Sequence, residues 1–140
     1  KERITITPGE IRGIDITTQP FPGFPTDLQA PFMALLATAQ GTSVITEKIY
    51  ENRMQHVAEL QRMGASIRVQ SNTAVVEGVS ALSGAPVNGT DLRASAAMVL
   101  AALVAQGKSH VSGLDHLDRG YADIEAKLGR AGAKLTRRTP

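Results

Sequence analysis

The chain has 140 residues, 42% of them hydrophobic, and its 15 basic and 13 acidic side chains leave a net charge of +2. This length predicts one domain with a substantial core, and charges this evenly mixed do not favour nucleic acid as a partner. The absence of cysteine excludes disulfides, thiolate metal sites and a cysteine nucleophile within the chain. Every apolar run is interrupted well before the roughly 18 residues that a membrane helix needs, so we expect a soluble protein without membrane contact.

Strands and helices are predicted to alternate along the chain. Apolar residues at every second position mark strands, and apolar residues three and four positions apart mark helices. The predicted elements, in chain order, are strands at 4–7 and 13–17, a helix at 28–39, a strand at 42–48, a helix at 52–63, strands at 66–70 and 73–79, a helix at 92–104, a strand at 110–114, a helix at 118–128 and a strand at 133–136. Such alternation predicts the α/β or α+β class.

Proline, glycine and capping residues separate these elements. Three prolines within residues 19–25 exclude a helix or an inner strand, because proline removes a backbone donor and restrains the residue before it. Thr26 or Asp27 can cap the helix that follows, and Gly41 suits its end. Asp118 is predicted to cap the last helix in the same way.

The two halves of the chain resemble each other. Thr26-Asp27-Leu28 opens an alanine-rich run that ends at Ala39-Gln40-Gly41, and Thr90-Asp91-Leu92 opens another that ends at Ala105-Gln106-Gly107. The two aspartates are 64 residues apart, and the downstream Arg53 and Arg119 are 66 residues apart, so the copies stay in register. The sequence therefore predicts a duplicated supersecondary unit.

Charged residues at the predicted helix starts indicate an anion site. Asp27 and Asp91 suit a helix N-terminus, but Arg53, Arg93 and Arg119 would lie at the end of the helix dipole that disfavours cations. Local stability does not explain these arginines, and guanidinium groups bind anions through paired hydrogen bonds. We therefore expect an anionic ligand between helix N-termini. Two simpler interpretations stay open, namely aspartates that only cap helices and arginines that are only solvated.

No metal or cofactor is predicted. The three histidines, His56, His110 and His116, show no metal-ligand spacing. Neither of the common glycine-rich nucleotide-binding patterns is present.

Four stretches of the sequence resemble the UDP-N-acetylglucosamine enolpyruvyl transferases of the EPSP synthase family. They are Pro22-Gly23-Phe24-Pro25-Thr26-Asp27-Leu28-Gln29-Ala30, Tyr50-Glu51-Asn52-Arg53, Leu82-Ser83-Gly84-Ala85 with Thr90-Asp91-Leu92-Arg93-Ala94-Ser95, and Leu117-Asp118-Arg119-Gly120-Tyr121. The resemblance implies a bacterial cytoplasmic enzyme that moves the enolpyruvyl group of phosphoenolpyruvate to the 3-hydroxyl of UDP-N-acetylglucosamine, releasing phosphate, as the first committed step of peptidoglycan synthesis. It also implies an inverse α/β barrel of two similar domains, each built from three βαβαββ units, with the active site between them.

The resemblance assigns a role to six residues. Asp27 matches the aspartate proposed to take the proton of the sugar 3-hydroxyl, and Asp91 matches a second carboxylate near the reacting carbons. Ile49 matches a position lining the sugar-nucleotide site. Arg93 and Arg119 match arginines that hold phosphoenolpyruvate, and Arg53 matches one near its carboxylate.

The same resemblance implies that the chain is a fragment. Residues 1–140 match the C-terminal portion of one domain, with repeat units at about 13–88 and 89–140, and the proton donor belongs to a missing N-terminal half. The chain alone is then expected to be inactive. Two other hypotheses stay open: a stand-alone anion-binding or regulatory module, and the shikimate-pathway enolpyruvyl transferase.

Overall fold

The computed structural model describes residues 2–138. These residues form two small sheets and five α-helices. A 3₁₀ turn at Thr26–Leu28 precedes the first helix. The elements are β1 (Ile16–Thr17), α1 (Gln29–Leu36), β2 (Thr42–Thr46), α2 (Val57–Arg62), β3 (Ser66–Gln70), β4 (Thr73–Glu77), β5 (Pro86–Asn88), α3 (Leu92–Val104), β6 (His110–Ser112), α4 (Leu114–Asp118) and α5 (Ile124–Arg130). The predicted span of 1–140 also includes residues 1, 139 and 140, which lie outside the described residues.

The larger sheet has the strand order β1-β2-β4-β3. β1 runs parallel to β2, with Ile16 opposite Ile45, whereas β2, β4 and β3 are antiparallel to their neighbours. In β2 the buried positions alternate with partly exposed ones, as expected for a sheet with one face on the core. The smaller sheet pairs β5 with β6 in parallel, with Val87 opposite Val111.

One hydrophobic core lies between the helices and the larger sheet. Large side chains from α1, β2, α2, β4 and α3 are fully buried there: Met33, Ile45, Leu60, Val76 and Met98. Burial of each such side chain is worth about 1.5–3 kcal/mol. The alanines of α3 allow it to pack closely on α1. Residues 94–99 are all buried, so the first half of α3 is enclosed on every side, whereas Val104 at its end is 58% exposed.

The backbone repeats the same hydrogen bonds in both halves. The amide of Gly13 donates to the carbonyl of Gln40 at 2.8 Å, and the amide of Gly84 donates to that of Gln106 at 2.7 Å. The glycine that follows each glutamine, Gly41 in one half and Gly107 in the other, has a positive φ of 90° and 94°, respectively. These matched positions support the predicted duplication.

The proline-rich loop is an insertion in the first copy. The amides of Thr18 and Gly89 make equivalent bonds at 2.9 Å to the strands β2 and β6, and these two residues are 71 positions apart. The matched aspartates that follow, Asp27 and Asp91, are only 64 positions apart. The difference is the seven residues 19–25, which form a tight loop closed by a hydrogen bond from the Gln19 amide to the Phe24 carbonyl at 2.9 Å.

Several predicted elements are absent or shorter in the structure. Residues 4–7 form no strand, and Ile4 and Ile6 are 89% and 87% exposed, because no sheet edge pairs with them. The helix predicted at 52–63 begins only at Val57, after a run of turns. Residues 133–136 form no strand, so the described part of the second copy lacks the two last strands of a βαβαββ unit.

The predicted unit boundary at 88/89 stays a prediction. β5 lies just before it but pairs with β6, which belongs to the second unit, so we propose that the boundary falls in residues 78–85. Among residues 2–138 no helix is both long and apolar enough to cross a membrane.

Candidate functional site

Four of the six predicted site residues meet in one open cleft. Its volume is about 410 Å³, and it lies where the turns before α1, α2 and α3 come together. The residues that line it are Asp27, Tyr50, Glu51, Asn52, Arg53, Gln55, Asp91, Leu92 and Arg93. Asp27, Arg53, Asp91 and Arg93 therefore share a surface, although they are far apart in the sequence.

Asp27 is held between two arginines. Its Oδ1 accepts a hydrogen bond from Arg53 Nη2 at 3.0 Å, and its Oδ2 accepts one from Arg93 Nη2 at 2.7 Å. The hydrogen bond from Arg93 has the largest effect on the pKa of Asp27, and it lowers this pKa. Burial raises the pKa and the hydrogen bond from Arg53 lowers it, so that the pKa of Asp27 lies below its ordinary value. The cap interpretation of Asp27 is wrong, because its side chain bonds to no helix amide at the start of α1.

Asp91 does cap its helix. Its Oδ1 accepts hydrogen bonds from the amides of Arg93 at 2.8 Å and Ala94 at 2.9 Å at the start of α3. Within residues 2–138, Oδ2 has no hydrogen-bond partner, and Asp91 lines the cleft. The two aspartates thus differ, since one stabilises a helix and the other binds only side chains.

Each cleft arginine also lies beside a tyrosine, which the sequence analysis missed. The Arg53 guanidinium is 4.9 Å from the centre of the Tyr50 ring. Arg93 is 6.0 Å from the centre of the Tyr121 ring, and its Nη1 donates to the Tyr121 hydroxyl at 3.3 Å. A cation over an aromatic face is stabilised by about 0.5–1 kcal/mol at exposed sites. Both tyrosines lie in motifs quoted above, but nothing in their spacing indicated these contacts.

Arg119 and Ile49 lie outside the cleft lining. Arg119 directly follows the last residue of α4, Asp118, so the prediction of a helix start capped by Asp118 is wrong, and the dipole favours a cation there. Arg119 is exposed and has no ion pair or hydrogen bond within the described part of the chain. Ile49 is 39% exposed, and its amide donates to Glu47. The substrate-binding roles of both residues stay predictions.

A buried carboxylate, Glu47, lies behind the cleft. It is only 2% exposed, and its oxygens accept four hydrogen bonds, from the hydroxyls of Thr18 and Thr26 and from the amides of Ile49 and Tyr50. Burial raises the pKa of Glu47, but these hydrogen bonds outweigh it and hold the pKa below the ordinary value. The sequence analysis placed residue 47 in a strand and assigned it no role.

His56 is buried beneath the same charges. It is 4% exposed, and its Nε2 has no hydrogen-bond partner within residues 2–138. Burial lowers the pKa of His56 to about 4, while the charge of Asp91 raises it and that of Arg53 lowers it further. No group of three or more potential metal ligands occurs in the described residues.

The comparisons with known proteins agree with this fold. Residues 1–128 match the family described as EPSP synthase (3-phosphoshikimate 1-carboxyvinyltransferase), and the chain belongs to this family. It is 74% identical over 137 residues to a UDP-N-acetylglucosamine 1-carboxyvinyltransferase of Synechococcus sp. (strain CC9605), covering 98% of this chain and 32% of that protein. A protein of the same name from Prochlorococcus marinus (strain MIT 9313) is 71% identical, covering 100% of this chain and 32% of that protein.

Solved structures give the same fold. The enolpyruvyl transferase NikO from Streptomyces tendae superposes with a TM-score of 0.84 at 31% identity, covering 94% of this chain and 30% of that one. EPSP synthase from Acinetobacter baumannii, with a TM-score of 0.53 at 20% identity over 61% of this chain and 21% of that one, shows the fold alone. The predicted family and fold class are therefore confirmed, and the chain spans about a third of the length of these relatives.

Proposed function

We propose that the chain is part of a transferase that moves the enolpyruvyl group of phosphoenolpyruvate to the 3-hydroxyl of UDP-N-acetylglucosamine, with release of phosphate. The observation that carries this proposal is the Asp27 carboxylate between Arg53 and Arg93 in an open cleft. The two arginines are suited to bind an anionic substrate, and the carboxylate is suited to accept the proton that the hydroxyl must lose. The names of the relatives support the choice of substrates.

The arginines explain how Asp27 can be a weak base at rest and a better one in the complex. Two guanidinium contacts hold its pKa low in the substrate-free cleft. A phosphoenolpyruvate that binds Arg53 and Arg93 takes donors away from Asp27 and adds negative charge beside it. Both changes raise the proton affinity of the carboxylate. Proton removal from the sugar hydroxyl is thereby coupled to the arrival of the second substrate.

Asp91 and Arg119 complete the proposed site. The Oδ2 atom of Asp91 offers negative charge to an oxocarbenium-like species near the reacting carbons. Arg119 lies two residues before Tyr121, which contacts Arg93, and this proximity in the sequence supports a third guanidinium near the anion. Ile49 is proposed to line the sugar-nucleotide site.

The remaining parts of the proposal come from the resemblance. The proton donor lies on the missing N-terminal half, the reaction is the first committed step of peptidoglycan synthesis, and its location is the bacterial cytoplasm. The relatives named above favour the sugar nucleotide over the shikimate-pathway acceptor. Because the structure contains a cleft with a carboxylate as well as cations, an anion-binding module without catalysis explains less of it.

The experiment is a phosphate-release assay on a hybrid protein. In this hybrid the chain replaces the matching residues of the Synechococcus relative, to which it is 74% identical. We expect phosphate release with phosphoenolpyruvate and UDP-N-acetylglucosamine, and none when shikimate 3-phosphate replaces the sugar nucleotide. The hybrid with Asp27→Asn is the control for background release. A folded hybrid that is active only with shikimate 3-phosphate, or with neither acceptor, would contradict the proposal.

A further inference from the structure

Glu47 is a carboxylate that forms no ion pair with any residue between 2 and 138. Its carboxylate is buried, and all four of its hydrogen bonds come from neutral donors. A buried charge that is not paired costs free energy unless hydrogen bonds satisfy it. The buried Glu47 carboxylate therefore depends on its four hydrogen bonds, and the end of a strand does not need such an arrangement for its own stability.

Two hydrogen bonds of Thr26 connect the Glu47 carboxylate to the cleft, and the donor and acceptor of each bond are determined. The Thr26 hydroxyl lies 2.8 Å from Glu47 Oε2 and 2.7 Å from Arg53 Nη1. An ionised carboxylate can only accept and a guanidinium can only donate, so the single hydroxyl proton must point to Glu47. The oxygen of Thr26 is then left to accept from Arg53. The order of donors is fixed as Arg53 to Thr26 to Glu47.

The same carboxylate also holds the turn that carries Tyr50. Glu47 Oε1 accepts from the amides of Ile49 at 2.8 Å and Tyr50 at 3.1 Å, and from the Thr18 hydroxyl at 2.6 Å. Tyr50 in turn lies against the Arg53 guanidinium. Arg53 is thus restrained from two sides, and both restraints lead back to Glu47.

We propose that Glu47 is a positioning residue that orients Arg53 towards Asp27 and an anionic substrate, through Thr26 on one side and the Tyr50 turn on the other. The substrate in this proposal rests on the proposed function, whereas the restraint on Arg53 does not. With Nη1 bound to Thr26 and Nη2 bound to Asp27, the guanidinium has one orientation. A guanidinium fixed before substrate arrives binds an anion without losing side-chain freedom at that moment.

Three substitutions distinguish the effect of the hydrogen bonds that join Glu47, Thr26 and Arg53 from a general effect on folding. Thr26→Val removes the hydroxyl and keeps the shape, and Thr26→Ser keeps the hydroxyl. Glu47→Gln can keep its oxygen at the Oε1 position, but its amide then donates to the Thr26 oxygen instead of accepting from it, so the Thr26 hydroxyl proton loses its acceptor. Thr38→Val is the matched control, because it removes a threonine hydroxyl that bonds only to a backbone carbonyl at the end of α1.

The first measurement concerns Arg53 in the full 140-residue chain without any substrate. We expect the ¹⁵N order parameter of the Arg53 Nε–H group to fall below about 0.6 in Thr26→Val and in Glu47→Gln. Thr26→Ser and Thr38→Val should keep the value of the parent chain. An Arg53 that stays equally ordered in a folded Thr26→Val chain would overturn the inference, whatever the activity of any hybrid.

The second measurement uses the hybrid protein. We expect Thr26→Val and Glu47→Gln each to raise KM for phosphoenolpyruvate about tenfold, with Thr26→Ser restoring it and the thermal midpoint of Thr26→Val close to that of the parent. The double variant should be no worse than Glu47→Gln alone, because Glu47→Gln already breaks the link through Thr26. Equal KM values for Thr26→Val and Thr26→Ser, or additive effects in the double variant, would overturn the role of Glu47. A hybrid without activity would count against the proposed function, and the Arg53 measurement would still decide the restraint.

Discussion

Replacement of the buried His56 by Phe should flatten the pH dependence of folding stability. Burial lowers the pKa of His56 from its ordinary 6.5 to about 4 in the folded chain. Because the folded pKa is depressed, the unfolded chain binds a proton that the folded chain does not as the pH falls from 6.5 to 4. Stability is therefore fully present above pH 6.5 and is lost during acidification through this window.

The magnitude follows from the size of the shift. A difference of about 2.5 pKa units, at about 1.4 kcal/mol per unit, gives a total loss of about 3 kcal/mol, of which about 2 kcal/mol is lost between pH 7 and pH 5. Below pH 5 the carboxylates with a lowered pKa, Asp27 and Glu47, add their own loss of stability. The window from pH 7 to pH 5 therefore reports mainly on His56.

The assay is urea unfolding of the 140-residue chain, followed by far-ultraviolet circular dichroism at pH values from 5 to 7.5. The quantity compared is the change of unfolding free energy with pH, so a general loss of stability in His56→Phe does not affect the result. His110→Phe is the control, because His110 is exposed and its replacement should leave the slope unchanged. If His56→Phe and the parent lose stability equally between pH 7 and pH 5, then His56 is not buried in the neutral form.

Four further predictions concern the proposed site. The chain alone should release no phosphate from the two substrates, since loss of a general acid by itself lowers rates by about 10²- to 10⁴-fold; release at an ordinary enzyme rate would refute this. In the hybrid, Asp27→Asn should lower turnover about 10²-fold with little change in melting temperature, because Asp27 caps no helix; normal turnover would exclude a catalytic role. Asp91→Ala should lower the unfolding free energy by about 1 kcal/mol in urea titrations, whereas Asp91→Asn should retain most of it; equal stabilities would show that the cap is unimportant. Arg119→Ala should weaken phosphoenolpyruvate binding about tenfold in calorimetry without changing stability, and unchanged affinity would remove Arg119 from the site.

The sequence predicts the elements with strong periodicity well. α3 is confirmed over residues 92–104, and β3 at 66–70 has the predicted bounds. The expectation that Gly41 ends the first helix is wrong, because α1 already ends at Leu36, although Gly41 does have a positive φ. These elements are specified by local patterns of apolar residues and by glycine's tolerance of positive φ. Residues 4–7 have an equally clear alternation but form no strand, because a strand also needs a neighbouring sheet edge, which a local pattern does not report.

The candidate site was only partly predictable for a similar reason. Charge placed against the helix dipole pointed to Arg53 and Arg93, and both line the cleft. The same argument failed for Arg119, because the helix there ends instead of beginning. Glu47 gave no signal at all, since its importance lies in hydroxyl partners 21 and 29 residues away in the sequence.

The seven extra residues in the first copy give its aspartate different partners from the aspartate of the second copy. In the second copy Asp91 keeps the amides of α3. In the first copy the proline-rich loop and the 3₁₀ turn place Asp27 before the helix proper, where it meets an arginine of the other copy. The loop thus breaks the internal symmetry of the chain, and Asp27 bonds to arginine side chains where its counterpart Asp91 bonds to helix amides.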